Sequence, residues 1–146
     1  MTKGNTSTGG CLCSAIRYEY SGDPVLNMNC HCRDCQQASG SAFGPFQVLW
    51  KDSFRFLKGA PKYYAKLSDP GNEMQRGFCP DCGSPLTILA SHRPKLILIH
   101  AASLDDPSTY VPAMDIFTDS AQPWDVMKPE TEKYQRLPPI PEDLGR

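Results

Sequence analysis

Seven cysteines in three tight groups constrain this chain more than any other feature: Cys11-x-Cys13, Cys30-x-Cys32-x-x-Cys35 and Cys79-x-x-Cys82. An odd count leaves one thiol over in any scheme built from disulfides alone. The opening stretch MTKGNTSTGG is polar, without the apolar core of a secretion signal, and no apolar run approaches membrane length. The expectation is a soluble protein in the reducing cytoplasm, where stable disulfides are rare. Close-spaced thiols there point to metal. Two sulfurs from one turn can grip one ion, and tetrahedral zinc takes four at about 2.3 Å.

The groups are not alike. Cys79-Pro80-Asp81-Cys82-Gly83 has the form of a metal knuckle: Pro80 presets the turn, and Gly83 permits the positive φ that closes it. A knuckle supplies two ligands and needs two more. Cys11 and Cys13 can provide them, since residues i and i+2 of an extended segment share a face. Four cysteines close the coordination sphere, which is structural chemistry. Cys30, Cys32 and Cys35 remain, and three ligands leave the fourth position of zinc open, which is the catalytic arrangement. Cys35 is expected in the first turn of a short helix, where the dipole favours a thiolate. This division uses every cysteine and implies two zinc ions per chain. The competing division pairs Cys32/Cys35 with Cys79/Cys82 as a single zinc ribbon and leaves Cys11, Cys13 and Cys30 spare. Zinc is the expected ion, although four thiolates also suit iron.

The rest of the chain reads as strands and turns. Ile16, Tyr18 and Tyr20 alternate with Arg17 and Glu19; Leu26, Met28 and Cys30 alternate in turn. Phe43 to Trp50 is apolar, with Gly44-Pro45 marking a bulge or an edge. Further strands are expected near Phe54–Phe56, at Lys62 to Leu67, at Gln75 to Phe78, at Pro85 to Ala90 and at Lys95 to Ala101. The last is apolar enough to be buried on both faces. Asp34 to Ser39 suits one short helix ended by Gly40. Ser68 to Asn72 is a turn. Fourteen prolines favour short strands and turns over a helical bundle, so the expected class is mainly β. Residues 1–8 are expected to be a disordered lead-in, 9–135 a zinc-binding domain and 136–146 a proline-rich tail. That last stretch continues a polar segment from Pro123 that wraps the surface, with Trp124 as its large anchor.

Formal charge is −1, which offers no basic field for nucleic acid or an acidic membrane surface. Two Zn²⁺ and seven thiolates take it to about −4. An anionic substrate would need local cations, and Arg17, Arg33 and Arg76 lie near the clusters, where they also fit ordinary surface positions. His31 falls between two ligands and is expected to point away from them, exposed or supporting the site from behind. His100, in an apolar strand, is expected to be a core histidine. Ser39, Ser41 and Phe43 are expected either to line a pocket or to pack at the helix end.

The segments GGCLCSAIRYEY, CHCRDCQQASGSAF and FCPDCGSPL resemble the three signature blocks of the glutathione-dependent formaldehyde-activating enzyme family, the CENP-V/GFA domain. AQPWDV also fits, and the resemblance spans roughly residues 9 to 135. Ser14 departs from it, standing where the family usually carries glycine. The resemblance implies an Mss4-like β-tent, several small antiparallel sheets joined at zinc. It implies Cys11, Cys13, Cys79 and Cys82 as structural zinc ligands, and Cys30, Cys32 and Cys35 as catalytic ones. It implies carbon–sulfur lyase chemistry on a small-molecule thiol of the glutathione type and a small aldehyde, as in the formation of S-hydroxymethylglutathione.

Fold kinship does not fix activity. A non-catalytic zinc scaffold of the same fold is the main alternative. A thiol-redox protein is weaker, because no βαβ pattern surrounds the Cys-x-x-Cys pairs. The oligomeric state, the physiological thiol and aldehyde, and the substrate-contacting residues are not legible.

Overall fold

The alternating segments at Arg17–Ser21 and Leu26–Cys30 both form strands. The computed structural model describes residues 5–68, 71–139 and 141–144. Its strands are β1 (Thr6–Gly10), β2 (Arg17–Ser21), β3 (Leu26–Cys30), β4 (Gly44–Trp50), β5 (Phe54–Lys58), β6 (Lys62–Leu67), β7 (Glu73–Phe78), β8 (Pro85–Ala90), β9 (Leu96–His100), β10 (Met114–Ile116) and β11 (Glu132–Lys133). The one α-helix among the described residues is α1 (Arg33–Ser39), stopped by Gly40 in the left-handed region at φ 68°. No described helix is long and apolar enough to cross a membrane.

The strands form two sheets. One has three strands in the order β1-β2-β5; the other has eight, in the order β11-β10-β3-β4-β9-β8-β7-β6. The mainly-β expectation holds, and the β-tent is consistent with the two sheets. Pairing is antiparallel except that β10 runs parallel to both β3 and β11.

Register gives each face of the large sheet a separate task. Leu26, Val48, Leu98, Ile88 and Arg76 pair in one row across five strands. Side chains in such a row share a face, and their neighbours one residue along point the other way. On the opposite face Leu49, Ile97 and Ile99 are buried against Tyr18 and Tyr20 of the small sheet. Each such fully buried side chain stabilises the fold by roughly 1.5–3 kcal/mol. The hydroxyl of Tyr20 donates to Gln47 Oε1 at 2.7 Å and that of Tyr18 lies 2.6 Å from Ser103 Oγ, so both polar tips are satisfied.

Three expectations are corrected. Thr6–Thr8 are not a disordered lead-in: they pair with Ser21, Tyr20 and Glu19. Thr8 also holds Asp105 through its hydroxyl at 2.6 Å and its carbonyl at 2.9 Å. Residues 1–4 of that lead-in lie outside the described residues. Pro45 does not mark an edge or a bulge, because β4 is central. It is tolerated because the pairing of β4 with β9 starts only at Phe46, leaving Pro45 without a partner on that side. Trp124 is no anchor, being 67% exposed. Residues 69 and 70 of the expected Ser68–Asn72 turn lie outside the description, though Ser68 N–H reaches Asn72 O at 2.9 Å. The short strands β10 and β11 carry too few residues to show a period, and sequence patterning misses them.

Candidate metal centre

The seven sulfurs gather into two groups. Those of Cys11, Cys13, Cys79 and Cys82 lie within 4.8 Å of one another, and so do those of Cys30, Cys32 and Cys35. The ribbon that pairs Cys32/Cys35 with Cys79/Cys82 is thereby excluded. All seven are free thiols rather than disulfides.

The four-cysteine group joins the loop after β1 to the loop between β7 and β8. Cys11 and Cys13 do not converge through extended backbone. A turn, in which Ser14 N–H reaches Cys11 O at 3.1 Å, folds the second sulfur back to the first. Gly83 takes φ 78°, closing the knuckle as its spacing predicts, and its N–H bonds Cys79 O at 2.8 Å. Sγ–Sγ distances are 3.6 Å for Cys11–Cys13 and 3.8 Å for Cys13–Cys79. A tetrahedral ion with bonds of about 2.3 Å sets its sulfurs about 3.8 Å apart, so the donors fit zinc.

Ser84 is a contributor that cysteine spacing could not reveal. Its Oγ accepts the Leu12 N–H at 3.0 Å and lies 3.2 Å from Cys82 Sγ. The hydroxyl and amide of Ser84 pull the Cys82 thiol down to about 5. Ile16 N–H reaches Cys11 Sγ at 3.2 Å. Donors of this kind stabilise thiolates and so support a ligating state.

The three-cysteine group is built at the junction of β3 and α1. Cys30 ends β3, Cys32 caps the helix and Cys35 lies in its first turn, with Cys35 N–H reaching Cys32 Sγ at 3.3 Å. Charge within the trio is unequal. Hydrogen bonding from Cys30, then from Cys35, holds Cys32 far below the usual thiol range. Contact with Cys32 pushes Cys30 up, and contacts with Cys30 and then Cys32 push Cys35 up. Cys32 is thereby the sulfur of the trio most readily held as thiolate, and the Cys35 N–H beside it adds to that. Three adjacent sulfurs can all ionise only beside a cation, which is the character of a metal ligand set.

Buried polar side chains brace this trio from behind. His31, with 0% of its surface exposed, is not the exposed residue its position allowed. Its Nε2 lies 2.6 Å from Asp115 Oδ1 and its Nδ1 2.9 Å from Asp125 Oδ2. Phe43 lies tilted against its ring, centroids 5.2 Å apart. The Nδ1–Asp125 pair is a close contact rather than a hydrogen bond. Burial opposes ionisation of Asp115, but hydrogen bonds from Thr131 and His31 outweigh it and keep the carboxyl below its usual range. Gln36 donates to His31 O at 2.7 Å and to Ser120 O at 2.9 Å, fixing the backbone between Cys30 and Cys32.

Arg76 and Arg33 line a cavity of about 550 Å³ that contains Cys30, Cys32 and Cys35 in its wall. Arg76 Nη2 stands 3.9 Å from Cys35 Sγ. Arg17 is elsewhere, paired with Asp105, whose carboxyl it holds down at about 2. Ser39, Ser41 and Phe43 do not line the cavity; the Ser39 hydroxyl donates to Phe43 O at 3.1 Å, which is helix-end packing. His100 is the expected core histidine, edge-on to Phe46 at 4.7 Å.

Residues 6–120 match the family described as glutathione-dependent formaldehyde-activating enzyme. The fold is also similar to a crystal structure of a Rhodobacter sphaeroides protein, with a TM-score of 0.54. That likeness covers 72% of this chain and 97% of the other at 18% identity.

Proposed function

Since the chain belongs to the glutathione-dependent formaldehyde-activating enzyme family, we propose that it is a zinc-dependent carbon–sulfur lyase. In this reading it joins a glutathione-type thiol to an aldehyde, or splits the adduct, beside Cys30, Cys32 and Cys35. Cys11, Cys13, Cys79 and Cys82 would hold a second, structural zinc that ties the β1 loop to the β7–β8 loop. A cytoplasmic setting would keep the seven thiols reduced.

One observation carries the reading: the trio, with one donor fewer than a closed site, forms part of a cavity wall. A purely structural site needs neither a missing donor nor an adjoining cavity, which disfavours the scaffold alternative. Zinc at the trio, when bound, supplies the positive charge that lowers the pKa of an incoming thiol.

The chain's own groups would do the rest. In the adduct-forming direction a new S–C bond replaces the π bond of the carbonyl, and the thiol proton ends on the carbonyl oxygen. No electrons enter or leave. Arg76 offers a guanidinium where negative charge develops on that oxygen. Apolar walls exclude water and strengthen this interaction. His31, pinned between Asp115 and Asp125, would fix the backbone carrying Cys30 and Cys32 and so hold the ligand spacing.

The test is Cys35→Ser, with zinc content and adduct turnover measured together. The expected result is loss of one of two zinc ions with loss of turnover. Normal turnover after that loss refutes the role of the trio. A cobalt-substituted protein whose spectrum ignores added thiol would point to the scaffold instead.

A further inference from the structure

We infer that the aldehyde partner carries a hydrocarbon body of several carbons, held on the face of the large sheet beside the trio. This rests on the proposed reaction and names its substrate class.

The cavity is built by strand register rather than by loops. Met28 of β3, Phe46 and Val48 of β4, Leu98 of β9, Ile88 of β8 and Met74 of β7 all line it. All lie on the face opposite the inter-sheet core. Leu137 and Pro138, beyond β11, reach the same cavity from the C-terminal segment. A one-carbon aldehyde is little larger than a water molecule, whose liquid share is about 30 Å³. It would leave most of 550 Å³ unused. The volume instead falls in the range of pockets that take whole small molecules, roughly 300–1,000 Å³.

Chemistry decides which partner enters. A glutathione-type thiol is charged and hydrogen-bonding along its length. Placing it against Val48, Ile88 and Leu98 would strip that hydration without replacement. An alkyl or aryl chain pays no such penalty and gains by burial. A polar group stands where chemistry is placed: Arg76, the terminal residue of the five-strand row, lies beside Cys35. Exposed Arg33 and half-buried His92 also border the cavity and suit the polar thiol. The carbonyl would then sit near Arg76 and the trio, with its chain running along the sheet face. Three methionines, Met28, Met74 and Met114, line the cavity and give a wall that adapts to chain shape.

The test uses the full zinc-loaded chain. Adduct exchange with glutathione is followed by NMR for formaldehyde, butanal and octanal. Binding of 1-decanol, which cannot react, is followed by calorimetry. The expected result is a kcat/KM rising about two- to fourfold per added methylene from butanal to octanal, with saturable decanol binding. Leu98→Trp and Met74→Trp fill the cavity from different strands. Each should weaken decanol binding at least tenfold while zinc content and far-UV dichroism are kept. A kcat/KM flat from formaldehyde to octanal, with no decanol binding, overturns the inference while leaving the reaction intact. Absence of exchange with every aldehyde, formaldehyde included, overturns the reaction itself.

Discussion

His31 Nε2 and Asp115 Oδ1 lie 2.6 Å apart, both buried, across a separation of 84 residues. The contact ties the loop between two cysteines of the trio to β10, a strand of only three residues. Asp115 also accepts from the Thr131 hydroxyl, so three segments meet at one carboxylate. Asp115→Ala removes the buried partner of the His31 Nε2 and one acceptor of the Thr131 hydroxyl. A loss of about 3 kcal/mol is expected, and Asp115→Asn, which keeps an acceptor, should lose less. Urea denaturation of the zinc-saturated protein measures both, and equal midpoints for Asp115→Ala and the parent would contradict the bracing role.

Ser84 links the two loops of the four-cysteine group. Ser84→Ala should weaken zinc there about 10–100-fold, the usual cost of losing a partner that orients a ligand. Chelator competition measures it. The trio, which Ser84 does not touch among the described contacts, should keep its affinity, and equal weakening at both sites would count against this assignment.

Ser14 takes φ 66°, a left-handed conformation that L-residues adopt at a cost of roughly 1–2 kcal/mol. Glycine adopts it without that cost but loses more chain entropy. Ser14→Gly should therefore stabilise by up to about 1 kcal/mol, raising Tm by roughly 2–4 °C. A lower Tm in thermal denaturation would show that the serine hydroxyl is worth more than the strain.

Burial, then the nearby Arg76 charge, depresses the His100 pKa to about 4 from an ordinary 6.5. The folded state thus refuses a proton that the unfolded state accepts. The stability involved is fully present above pH 6.5 and is lost as pH falls toward 4. Between pH 7 and pH 5 the loss should be about 2 kcal/mol. His100→Gln should remove that portion of the slope. Urea midpoints of the zinc-saturated proteins at the two pH values give the comparison, and parallel slopes would refute it.

Strands were legible where apolar and polar residues alternate, as in Arg17–Ser21 and Leu26–Cys30, and from bounded apolar runs such as Pro85–Ala90. The helix was legible from its glycine stop. Short strands such as Met114–Ile116 were not, because three residues cannot display a period. Cysteine spacing foretold the two sulfur groups. It was silent on Ser84, Gln36 and Asp115, because a serine, a glutamine or an aspartate carries no mark of the distant partner it will meet.

By itself, then, the chain's order of residues determined the local matters: which segments extend, where turns fall, and that thiols two or three residues apart can share an ion. Those depend on neighbours along the backbone, and backbone geometry is short-ranged. Tertiary structure alone decided that Cys11 meets Cys79 across 68 positions, that His31 is caged by two carboxylates, and that an apolar sheet face borders the trio. Such contacts depend on strand register. Shifting a strand by one residue reverses its faces, so nothing short of the assembled sheet specifies them.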